Sequence, residues 1–153
     1  MDRNPYTPPT AQVADVASSR TLYSPRQISV ASLLGGPTAG AWFIHQNFMT
    51  LGNESRALRV LGLGFAATVI LAVVGFYLPS RFPSSLLPIV YSVAIYQYAS
   101  FLFKDAYNKH LTEGGRNGSW WMVTGVSLLA VLIFLGIGFA IAFAVPSLLL
   151  NRN

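Results

Sequence analysis

Cysteine is absent from this chain of 153 residues, so disulfides, thiolate chemistry and cysteine-based metal sites are excluded. Charge is scarce as well: 10% of residues are Asp, Glu, Lys or Arg, where soluble domains carry about 25%. The scarcity is concentrated. Val60 to Leu78, Leu86 to Phe103 and Met122 to Val145 contain no Asp, Glu, Lys, Arg or His. The acids Asp2, Asp15, Glu54, Asp105 and Glu113 all lie outside these runs, which leaves no membrane-embedded carboxylate pair for catalysis or ion-coupled transport. A signal-peptide core is also missing: Met1 to Gln27 contains Asp2, Asp15 and several prolines instead. His45 and His110, without neighbouring acids or cysteines, make no metal site, and no cofactor is expected.

What is present is apolar. The chain is 53% hydrophobic with a mean hydropathy of +0.50, and each charge-free run can cross a hydrocarbon core of ~30 Å at ~1.5 Å per residue. The sequence therefore predicts an all-α membrane protein: a disordered polar tail over 1–23, then a helical membrane domain over 24–151 with segments at about 25–49, 57–78, 85–113 and 120–150. The net charge of +5 comes from basic residues that flank apolar segments. It points to a bilayer with anionic headgroups, at about 1 kcal/mol per well-placed cation, rather than to nucleic acid.

Three of the segments are firm spans, and the first is broken. Ser24-Pro25 is a sound helix start, but G-G-P-T-A-G at Gly35–Gly40 interrupts the helix it opens. Pro37 removes a backbone donor and pushes Gly36 out of helical geometry. In lipid such a break survives only where protein or water satisfies the freed groups, so the segment is either a kinked span or a re-entrant hairpin. If it spans, Arg3, Arg20, Arg26, Arg81 and Arg152 face Arg56, Arg59, Lys104, Lys109 and Arg116 across the membrane, a tie. If it is re-entrant, only Arg81 and Arg152 remain on the far side, as the positive-inside rule expects. The third segment continues past Lys104 to Gly114-Gly115 and should project into water, with Asp105 and Lys109 four apart on an exposed face. Trp120-Trp121 belong in the interfacial belt.

Small residues recur every four positions as helix-packing candidates: Ser32, Gly36 and Gly40; Gly64, Thr68 and Ala72; Gly136, Ala140 and Ala144. Such stripes let helix backbones approach closely, within one bundle or between copies. His45, Gln46, Asn47 and Gln97 are candidates for a polar pocket; the plainer readings are an interfacial helix end for the first three and an interhelical hydrogen bond for Gln97. Ser127 in G-V-S-L has the look of an intramembrane serine protease fragment, but the helices are too few and no histidine sits in a neighbouring span. No catalytic residue emerges, and the protein is not expected to be an enzyme.

The leader N-P-Y-T-P-P, the run Y-S-P-R-Q-I-S-V-A-S-L-L-G-G-P-T-A-G-A-W (Tyr23 to Trp42) and G-G-R-N-G-S-W-W (Gly114 to Trp121) together resemble small proteobacterial multi-pass proteins of uncharacterised activity. That resemblance covers most of the chain. It implies a bacterial inner-membrane location and carries over no catalytic residue. The expected function is that of a structural, accessory or regulatory membrane subunit acting through helix packing, on a membrane-protein partner or a second copy. The alternatives are a small channel or permease component with the Gly35–Gly40 break lining a pathway, and a membrane immunity protein.

Overall fold

The computed structural model describes residues 20–150 apart from Ser80 and Ser84, with the backbone alone at 76, 141, 142 and 144–150. In chain order the elements are β1 (Thr21–Leu22), α1 (Pro25–Thr50), α2 (Glu54–Tyr77), α3 (Leu86–Thr112), β2 (Arg116–Asn117) and α4 (Trp120–Leu150). The fold is all-α, as the apolar pattern predicts, and α2, α3 and α4 are each long and apolar enough to cross a membrane. Residues 1–19 of the expected tail lie outside the described residues. Its last residues are packed rather than disordered, with Leu22 and Tyr23 buried.

The broken first segment is a re-entrant hairpin. Ser24 caps α1 reciprocally: the Gln27 N–H donates to Ser24 Oγ at 3.2 Å and the Ser24 N–H to Gln27 Oε1 at 2.9 Å. Helical geometry then stops at Gly36, at φ 78° and ψ 176°, a conformation open to glycine. Pro37, with no N–H to give, starts the second arm. A straight helix would hold residues 24 positions apart at roughly 36 Å, yet Asn47 Nδ2 donates to the Tyr23 carbonyl at 2.8 Å. Tyr23 and Phe43 meet edge-on with ring centroids 4.6 Å apart. Nearer the turn, a Cβ at Gly40 would stand 2.7 Å from that of Ser32. The arms, residues 25–35 and 37–50, are roughly 16 and 21 Å long, too short to cross ~30 Å of hydrocarbon.

A full span is excluded by a second set of contacts. β1 pairs in parallel with β2, Thr21 opposite Arg116 and Leu22 opposite Asn117, and the Gly118 N–H donates to the Leu22 carbonyl at 2.9 Å. The tail, the α1–α2 turn and the α3–α4 loop therefore share one end of the molecule, which only the hairpin permits. On that end, α3 closes against the base before it stops. Phe103 is buried beneath Phe48, and Gly114 at φ 82° ends the helix as the Gly114-Gly115 pair predicts. The exposed ion pair there joins Lys109 to Glu113 at 3.8 Å rather than to Asp105.

Each of α2, α3 and α4 packs extensively on α1, and among the described residues no two spanning helices pack on each other to a comparable extent. The least apolar segment thus occupies the centre. The reason lies in the solvent: in lipid, an apolar helix gains little by hiding its apolar face, whereas a broken helix must hide its freed backbone groups. Accordingly only 17%, 17% and 11% of the apolar windows of α2, α3 and α4 are buried, which leaves their flanks to the bilayer. The expected outcome is testable in this cysteine-free chain. Single cysteines at Arg20 and Asn53 should react with an impermeant thiol reagent from one face and a cysteine at Arg81 from the other. Reaction of the first two from opposite faces would exclude the hairpin.

Candidate functional site

The hairpin is held by a polar clamp at its base and by one hydroxyl clasp to each surrounding helix. At the base, Asn47 is fully buried. Its Oδ1 accepts from the Tyr23 N–H at 2.8 Å while its Nδ2 donates to the Tyr23 carbonyl. Gln27, also fully buried, donates through Nε2 to the Gly118 carbonyl at 2.6 Å and so ties the first arm to the α3–α4 loop. Tyr23, buried between these groups, has its phenol pKa raised by desolvation.

The clasps lie deeper. On α2, Thr68 Oγ1 accepts from the Thr38 N–H at 3.1 Å, which satisfies one of the donors that the break at Pro37 leaves free, and it donates to the Gly64 carbonyl at 3.0 Å. Towards α3, Ser29 Oγ donates to the Ser92 carbonyl at 3.0 Å. From α4, Ser127 Oγ donates to the Ala31 carbonyl at 3.3 Å. Ser127 is therefore a packing residue against the hairpin, with no hydrogen bond to a histidine among the described residues. Backbones approach closely at the same places: a Cβ on Gly35 would lie 2.8 Å from Ser127 Cα, and one on Gly64 would collide with Ala41 Cβ.

The packing candidates divide accordingly. Ser32 and Gly40 face each other across the hairpin instead of forming one continuous stripe. Gly36 is its turn, and a Cβ there would meet nothing within 4 Å. Gly64 and Thr68 meet α1, but Ala72 is exposed. Gly136 and Ala140 are exposed, as is every residue of α4 from Leu135 to Ala140, and a Cβ added at Gly136 would meet nothing within 4 Å. Ala144 lies outside the described side chains.

The polar-pocket candidates are not brought together. Asn47 points into the hairpin base, while His45 is half-buried and stacks on Trp42 with ring centroids 5.8 Å apart. Among the described residues, His45 Nδ1 is buried without a hydrogen-bond partner. Gln46 is half-buried, and Gln97 is exposed on the far flank of α3. Folding α1 back puts its polar trio at the base, one arm away from the face of α3 that carries Gln97. Sequence reasoning does not single out Gln27, Ser29 and Thr38 as contacts of the hairpin. Thr38 alone carries a signal, its adjacency to the break at Gly36-Pro37; Gln27 and Ser29 bond to Gly118 and Ser92, far along the chain, and nothing local marks them.

Beyond the hairpin tip α2 and α3, with Phe134 of α4, flank an open vestibule of about 630 Å³. Gly36 and Pro37 form its floor, Leu71, Ala72, Tyr91 and Phe134 its walls, and Pro79 and Phe82 of the α2–α3 loop its mouth. Among the described residues, no Asp, Glu, Lys, Arg or His lines it. No protein-family model, curated protein or solved structure matches this chain.

Proposed function

We propose that this protein is a non-enzymatic accessory or regulatory subunit of a bacterial inner membrane, acting through its lipid-facing helices on a partner membrane protein or a second copy of itself. The hairpin base would face the cytoplasm, since Arg20, Arg26, Arg56, Arg59, Lys104, Lys109 and Arg116 gather on its side and, among the described residues, only Arg81 opposes them. One observation carries the reading. The buried polar side chains all hydrogen-bond to backbone carbonyls: Gln27, Asn47 and Ser127 tie distant segments together, and Ser32 and Ser92 bond back within their own helices. Meanwhile α2, α3 and α4 leave their flanks open.

Gly136→Leu is the discriminating variant. It adds bulk where nothing stands within 4 Å, so thermal stability should stay within about 0.5 kcal/mol of wild type, as for surface changes generally. Self-association in the membrane, or recovery of a co-purifying partner, should fall about tenfold, which corresponds to ~1.4 kcal/mol. If both association readouts match wild type, the reading loses its support. Gly36→Leu is no test of packing, because that glycine turns the hairpin.

The vestibule favours a channel or permease component as the second reading. Here a cysteine replacing Ala72 decides: rapid modification by a water-soluble thiol reagent would mark a hydrated pathway. Slow modification, together with no solute flux in reconstituted vesicles, would remove this reading.

A further inference from the structure

Gln97 presents a problem that the fold leaves open. It sits 11 residues into α3, roughly 16 Å along a span of ~30 Å, with its amide exposed and without a protein hydrogen-bond partner among the described residues. An amide facing hydrocarbon needs a polar partner. It lies at the deep end of a groove of about 340 Å³ between the start of α1 and the flank of α3. From the middle of the membrane towards the base, the groove runs past Tyr96, Gln97, Ser100, Lys104, Tyr107 and Asn108, and Ser24, Pro25 and Arg26 form its opposite wall.

The order of chemistry along this groove is that of a phospholipid. At the base end stand two cations from different helices, Arg26 and Lys104, both exposed and neither ion-paired among the described residues. No carboxylate lines the groove among the described residues. Asp105 is adjacent to Lys104 in sequence but lies outside the lining. The first turn of α1, at the positive end of the helix dipole, adds to the same field. Inward of the cations come neutral hydrogen-bonding side chains, and beyond them the apolar start of α3. We infer that the groove holds one anionic phospholipid, with its phosphate between Arg26 and Lys104 and its ester carbonyls against Ser100 and the Gln97 amide. The acyl chains then continue along α3. This accounts for an amide that neither neighbouring helix partners, and it separates this groove from the vestibule, which lies at the opposite end and carries no cation among the described residues.

The test uses the full-length protein in mild detergent, titrated with phosphatidylglycerol or phosphatidylcholine of identical acyl chains and read by native mass spectrometry. One phosphatidylglycerol per protomer should be retained, about tenfold more tightly than phosphatidylcholine. Arg26→Gln with Lys104→Gln should weaken that retention about tenfold or more, at ~1 kcal/mol per cation. Arg56→Gln with Arg59→Gln removes as much charge from the same side of the membrane and should leave retention unchanged. Gln97→Leu should weaken both lipids alike, since the ester region is common to them. Should the paired variant fail to fold, each single change is expected to weaken retention about fivefold. Equal losses from the two arginine/lysine pairs would mean diffuse attraction and overturn the site. Displacement of the lipid by millimolar inorganic phosphate would identify a soluble anion as the ligand and overturn the lipid assignment.

Discussion

Replacing Asn47 with leucine is expected to destabilise the protein by roughly 2–6 kcal/mol, since it strands two buried backbone groups at about 1–3 kcal/mol each. The size is close to fixed by the geometry. Asn47 is fully buried, and both of its amide hydrogen bonds go to the backbone of Tyr23. Leucine fills similar space but offers neither a donor nor an acceptor, so the Tyr23 N–H and C=O lose their partners in a buried site. Denaturation of the purified protein by heat or by increasing anionic detergent checks this, and a loss under ~1 kcal/mol would mean that water reaches the clamp. Asn47→Asp sharpens the prediction. A protonated carboxyl can both accept from the Tyr23 N–H and donate to its carbonyl; a carboxylate can only accept, and it faces that carbonyl with like polarity. The folded state therefore raises the aspartic acid pKa above its usual ~3.9. Stability is then retained at low pH and lost as pH rises through the elevated folded-state value. Unchanged stability across that rise would contradict the clamp.

Gly35→Leu is expected to cost about 3 kcal/mol or more, at or above the upper end of overpacking effects. A Cβ at Gly35 would meet Ser127 Cα at 2.8 Å and the Ser127 carbonyl oxygen at 2.9 Å. These are backbone atoms of α4 and cannot rotate away, so the helix itself must retreat. That retreat stretches the Ser127–Ala31 hydrogen bond and separates α4 from the hairpin. Far-ultraviolet circular dichroism should remain helical while α4 becomes accessible to protease and to crosslinkers. Gly136→Leu is the control: the same substitution on a helix-facing glycine and on an exposed one should differ by several-fold in stability. Similar behaviour of the two variants would mean that α4 is not seated as described.

Helix existence was legible because the lipid solvent imposes a simple rule of length and charge, and the charge-free runs from Val60, Leu86 and Met122 obey it. Local stop and start chemistry was legible too, at Ser24-Pro25 and at Gly114-Gly115. The break at Gly36-Pro37 was visible as a break. Its angle was not, since glycine tolerates both a modest kink and a reversal, and the choice is made by groups far along the chain. Tyr23 must find Asn47, and Leu22 must find Asn117. Gln97 shows the complementary case. Its depth in the membrane follows from its place in α3, but whether its amide turns towards a helix or away depends on where α1 sits.

The amino-acid sequence by itself determined that this protein is helical, membrane-bound and poor in reactive groups, because those properties depend on composition counted along single segments. Tertiary structure alone decided that the least apolar segment lies at the centre, that it returns to the side it entered from, and that the expected polar pocket is split between two faces. In a bilayer the apolar helices have no strong preference for one another. The broken segment, whose freed backbone groups must be satisfied, therefore sets the arrangement of all the rest.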